Sequence, residues 1–114
     1  MSVLIIREQA RDNDIKKAGE DYDNYIKVTI DIEKEVMAIG GEFHADAEEK
    51  LLRIGSKQEN IWGGGLNLET GEIETNAIIN IRPRQNNPSN EIIDSKVRER
   101  FINIARNFLK NYVK

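Results

Sequence analysis

Ile26, Val28, Ile30 and Ile32 alternate with Lys27, Thr29, Asp31 and Glu33, the period of a strand that buries one face and wets the other. Val36-Met37-Ala38-Ile39 follows after Glu33-Lys34-Glu35, so a tight antiparallel hairpin is the simplest connection, ended by Gly40-Gly41. Ahead of it, Val3 to Ile6 is a short apolar run of strand length, and Ile15, Ala18 and Tyr22 keep a loose helical spacing. Beyond it, Asp46 and Glu49 form a capping-box-like pair before Ala47, Leu51 and Ile54, and Gly55 can end that helix in a left-handed conformation. Ile61 to Leu68 reads as a glycine-interrupted strand, with Gly63-Gly64-Gly65 expected to form a bulge or mobile loop and Trp62 expected in the core. The turn Glu69 to Glu72 then leads into a return strand on which Ile73, Thr75, Ala77, Ile79 and Ile81 alternate. Val97, Phe101, Ile104, Ala105, Phe108 and Tyr112 close the chain on one long amphipathic helix from about Asp94.

The pattern predicts an α+β fold: an antiparallel sheet of two β-hairpins plus a short N-terminal strand, helices packed on one face, and a long C-terminal helix. With 114 residues, 39% of them hydrophobic and 32% charged, residues 1–114 are expected to make a single domain with a real core. The absence of cysteine excludes disulfides, thiolate metal sites and cysteine nucleophiles. It also suits a reducing compartment, and the apolar start stops at Arg7, too short for a membrane span, so a cytoplasmic location without membrane attachment is expected.

The net charge of −3 is unevenly spread: residues 1–49 carry 13 acids against 6 bases, and residues 50–114 carry 7 against 11. An acidic whole argues against nucleic acid as a partner, although Lys96, Arg98, Arg100, Arg106 and Lys110 make the last helix basic. The aromatic side chains of that helix fall on its apolar stripe and offer no stacking platform.

Two clusters carry the candidate chemistry. In an extended segment Glu42, His44 and Asp46 would share one side, and Asp31 of the neighbouring hairpin could join them. Such a carboxylate-rich set, with Asp31, Glu42, His44 and Asp46 as candidate ligands, suits a divalent metal such as Mg or Mn, and Glu42 and His44 are the candidate catalytic acid or base. A plain structural role covers much of the same run, because acids are favoured in the first turn of a helix. The second cluster is Asn80, Arg82, Arg84 and Gln85 with the prolines around them, fork-shaped groups suited to an anionic small ligand, or else an ordinary polar loop.

The blocks Gly40 to Glu48, Gly55-Ser56-Lys57-Gln58 with Trp62-Gly63, and Ile79 to Gln85 resemble a small prokaryotic family known as a domain of unknown function. The resemblance spans nearly the whole chain and implies no activity, cofactor or catalytic residue. The triple glycine departs from that pattern, in which a single glycine after the tryptophan leads straight into the next strand. If the loops holding the blocks share one edge of the sheet, Glu42, His44 and Asp46 face Arg82, Arg84 and Gln85 across a polar cleft. A binding or interaction module, contacting a protein partner or its own copy, is the first expectation; a small metal-dependent hydrolase acting on a phosphoester-type anion is the alternative.

Overall fold

A computed structural model describes residues 3–20 and 22–114. Five strands, β1 (Val3–Ile6), β2 (Tyr25–Asp31), β3 (Val36–Gly40), β4 (Ile61–Asn67) and β5 (Ile73–Glu74), form one antiparallel sheet in the order β1-β3-β2-β4-β5. Three helices accompany it, α1 (Asp12–Ala18), α2 (His44–Arg53) and α3 (Ser95–Phe108). The α+β class, the antiparallel sheet and the C-terminal helix are as the residue pattern predicts.

The β2–β3 hairpin is closed by a buried carboxylate. Asp31 Oδ1 accepts from the amides of Glu33 and Lys34 at 3.0 Å each, and Oδ2 accepts from Ser56 Oγ at 2.6 Å. Glu35 supplies the left-handed residue of this turn, with φ of 54°. α2 ends where Gly55, at φ of 104°, lets Ser56 N reach Leu51 O and Gly55 N reach Leu52 O, the paired bonds that satisfy the last free carbonyls of a helix. Asp94 caps α3 by accepting from Lys96 N and Val97 N.

The helices do not gather on one face. α1 and α3 cover the side reached by Ile26, Val28, Ile30, Met37, Ile39 and Leu66, where Phe101, Ile104 and Phe108 complete the larger core. α2 covers the other side, where Ala47 and Leu51 meet Val36, Ala38 and Ile61. The reason lies in β3: every residue of it is buried, and successive side chains serve opposite faces. Its unbroken apolar run marks a strand covered on both sides, and the alternating β2 is covered there too: Thr29 and Asp31, expected on a wet face, are fully buried.

Four local expectations change. Gly19 ends α1 early, so Tyr22 lies outside the helix and is 38% exposed. Glu42, His44 and Asp46 are not an extended row, because α2 begins at His44 with Phe43 as its N-cap and no side-chain cap, which makes Asp46 a first-turn acid. Gly63, Gly64 and Gly65 form regular strand, paired with Thr29, Val28 and Lys27. The return strand stops at Glu74 and gives way to single 3-10 turns over Ile78–Asn80 and Pro83–Gln85.

That last change has a visible cause at the outer edge of β4. Only Gly65 and Leu66 pair with β5. Further along, the Asn80 carboxamide takes the place of a strand: its Oδ1 accepts from Gly63 N at 2.8 Å and its Nδ2 donates to Gly63 O at 2.9 Å. Arg82 Nη2 donates to Ile61 O one ladder position on. Two side chains thus satisfy backbone groups that a longer β5 would have paired, and they close an edge that would otherwise invite another strand. The expected alternation holds through Ile79, with Ile78 on the outer face at 80% exposed, and inverts only at the end, where Asn80 is buried and Ile81 is 47% exposed.

Candidate functional site

The residues singled out in the sequence separate into structural and free groups. Asp31 holds the hairpin turn and Ser56, so it is committed to the fold and not to a metal. Asn80 is fully buried on the edge of β4. Arg82 spends its donors on the carbonyls of Ile79, Gln58 and Ile61, while its guanidinium lies 4.7 Å from the Trp62 ring centroid. Gln85 donates to Glu59 O at 3.1 Å. Arg84 and Glu42 are exposed, and the Glu42 carbonyl, not its carboxylate, accepts from Tyr22 Oη. Among the described residues no three His, Cys, Asp or Glu side chains come together as a metal site.

The acidic block and the arginine block do meet, through a residue outside the expected set. Glu48 Oε2 lies 3.7 Å from Arg82 Nη2, both side chains mostly buried. Burial pushes the Arg82 guanidinium below its ordinary value and Glu48 pushes it back up. The sequence signal was the (i, i+4) spacing from His44 to Glu48, with Ala47 and Leu51 on the same sheet-facing stripe.

His44 itself faces a groove of about 480 Å³ between the start of α2 and the segment 76–79, within the range of small-molecule sites. Four of its lining residues, Tyr25, His44, Ala77 and Ile79, lie directly over two of the three glycines of β4. A Cβ on Gly63 would meet Ala77 Cβ at 2.7 Å and His44 Cδ2 at 3.0 Å, and a Cβ on Gly65 would strike the Tyr25 hydroxyl. A Cβ on Gly64 would point to the opposite face, into the Phe101 ring at 2.8 Å and the Glu74 carbonyl. The run is glycine because side chains from both faces lie directly on β4, a requirement for close approach and not for flexibility.

The walls are chemically divided. Phe43 and Ile78, 59% and 80% exposed, stand at the rim with Ala45, Ala77 and Ile79 between them. At the opposite end Tyr25 Oη donates to Glu74 Oε1 at 3.2 Å, and the Lys27 ammonium lies over the Tyr22 and Tyr25 rings at 4.6 and 5.8 Å. Burial first, and then the Glu74 carboxylate, pushes the Tyr25 hydroxyl well above the usual phenol range, so it stays a proton donor. Asn76 and Asn90 add carboxamides to the lining.

His44 Nε2 sits 2.6 Å from Gly64 O. A carbonyl oxygen can only accept, so the neutral ring carries its proton on Nε2 and a lone pair on Nδ1. Burial pushes the imidazole below its ordinary value, the Gly64 bond opposes this, and the nearby Lys27 charge adds to it. The groove therefore offers a cation, a neutral nitrogen acceptor and an apolar wall. Tyr25, Lys27, Phe43 and Ile78 were not singled out in the sequence, because they are scattered along the chain and only the fold collects them.

A family model described as Protein of unknown function (DUF5674) matches residues 4–108. No curated protein and no solved structure matches the chain.

Proposed function

Because the chain belongs to that family of proteins of unknown function, its role has to be argued from its own atoms, and we propose that it is a binding module taking a small organic anion with an apolar body. What supports the reading is one observation: a 480 Å³ groove lined by exposed Phe43 and Ile78 together with Lys27 and His44. Apolar walls with a few convergent polar groups are the usual composition of a ligand site. The ligand's acidic group would be drawn to Lys27 and its body would cover Phe43 and Ile78. The cleft between Glu42, His44, Asp46 and Arg82, Arg84, Gln85 is replaced by this groove, which retains His44 alone from the earlier set. The metal-dependent hydrolase has no ligand cluster among the described residues to carry it.

Titration with anilinonaphthalene sulfonate, an aromatic anion that fluoresces in apolar surroundings, tests the proposal. The native protein is expected to give a single saturable site, weakened at least about tenfold by Lys27→Met and by Ile78→Asp. Ile78→Asp changes an 80% exposed side chain and should leave unfolding stability within about 0.5 kcal/mol of native. Equal affinity in the native protein and both variants overturns the reading.

A further inference from the structure

The geometry of His44 points to a requirement on the ligand that goes beyond charge and rests on the binding reading above: we infer that His44 Nδ1 selects ligands carrying an N–H or O–H donor beside the apolar body. The class is then an aromatic or otherwise flat acid with a polar hydrogen on its ring system, such as an indole-type or phenol-type carboxylate.

Cδ2 of His44 approaches Gly63, and Nε2 bonds to Gly64 O at 2.6 Å, so that edge of the imidazole is laid against β4. Nδ1 and Cε1 belong to the opposite edge, turned away from the strand, and Nδ1 has no hydrogen-bond partner among the described residues. The orientation is held by the Gly64 bond at the ring's far end and by α2, which places the backbone of His44 in its first turn. The ring therefore cannot flip to present a donor without losing the Gly64 bond. Burial together with Lys27 disfavours the charged imidazolium, so a second proton on Nδ1 is disfavoured as well.

The two polar ends of the groove thus ask for opposite things. Lys27 attracts an anion, whereas the Nδ1 lone pair repels one and accepts a proton-bearing group. A ligand with a carboxylate at one end and a donor on its ring satisfies both; a ligand with only the carboxylate leaves Nδ1 desolvated and unpaired. Sites built around a hydrogen-bond partner reject analogues that lack it more strongly than apolar pockets reject a missing methylene.

Indoleacetate and benzofuranacetate differ only in an N–H replaced by an oxygen, so they share shape and charge. Amide-resonance titrations of the full chain with each probe give both the site and the affinity. Both are expected to move resonances of Lys27, Ala45 and Ile78, with indoleacetate bound about tenfold more tightly, and His44→Phe is expected to remove the preference while leaving the shifts in the groove. Equal affinity of the two probes in the groove of the native protein overturns the role of His44 and leaves the binding reading standing. If neither probe moves groove resonances, the binding reading falls with it. The comparison on the native protein decides the matter even if His44→Phe does not fold.

Discussion

The two faces of the sheet are built from different materials. Against α1 and α3 the sheet presents Ile26, Val28, Ile30, Met37 and Ile39, and the core there is aliphatic and aromatic throughout. Against α2 the apolar cluster is small, and polar groups surround it: Asp31 with Ser56, Glu48 with Arg82, and Asn80 on the β4 backbone. The same strands supply both faces, so the difference lies in which residues alternate to each side. One face is packed for burial, the dominant favourable term in folding. The other holds its polar groups in fixed positions and leaves a groove beside them, and this is the arrangement a binding site needs.

The sharpest way to break this comparison uses one strand. Gly64→Ala drives a methyl group into the Phe101 ring and the Glu74 backbone carbonyl on the α3 side, where nothing can yield cheaply. Urea unfolding should show a loss of at least about 3 kcal/mol. Gly65→Ala, one residue along and on the α2 side, meets the far end of the Tyr25 side chain. It should cost about 1 kcal/mol by displacing Tyr25 from Glu74. Equal losses for the two would erase the distinction between a packed face and an adjustable one.

The polar network of the α2 face makes the next test. Arg82→Met leaves Glu48 without its cation and strips donors from the carbonyls of Ile61 and Gln58. Breaking a mostly buried pair from one side should cost about 3 kcal/mol. Asn80→Ala, which opens the Gly63 edge, should cost about 2 kcal/mol. A loss below about 0.5 kcal/mol for Arg82→Met would return that arginine to the pool of ligand-binding candidates.

The smallest effect is the most specific. The folded chain holds His44 below its ordinary value of 6.5, chiefly by burial. As pH falls, the unfolded chain therefore takes up the proton first. The His44 contribution to stability is whole above 6.5 and is lost as pH drops below it toward the folded value. Because this is the only histidine, its imidazole resonance reports the titration without overlap. The midpoint should fall below 6.5 and rise in Lys27→Met, which removes a like charge. A native midpoint at or above 6.5 would contradict the buried, neutral ring.

What the residue pattern made legible was local. The β2–β3 hairpin follows from strict alternation, and α3 follows from the stripe through Phe101, Ala105 and Phe108 with Asp94 ahead of it. What stayed hidden depended on partners distant in sequence. The glycine run looked like a loop because the atoms that demand it, on Phe101, Tyr25 and His44, come from three other elements. The segment Ile73 to Ile81 alternates like a strand, yet the side chains of Asn80 and Arg82 outcompete a backbone pairing there. His44 and Arg82 both stand out in the sequence as candidate site residues. The fold then gave Arg82 a structural task and left His44 facing open space, and no spacing rule distinguishes those two outcomes.

Mapping the amide resonances that move as naphthoate, an aromatic carboxylate, is added to the full chain tests the account most directly. Shifts confined to Lys27, Phe43 to Ala45 and Asn76 to Ile79, with those of α3 unmoved, are the predicted result. Shifts centred on α3, or none in the groove at saturating probe, would contradict the claim that the α2 face is where this protein binds.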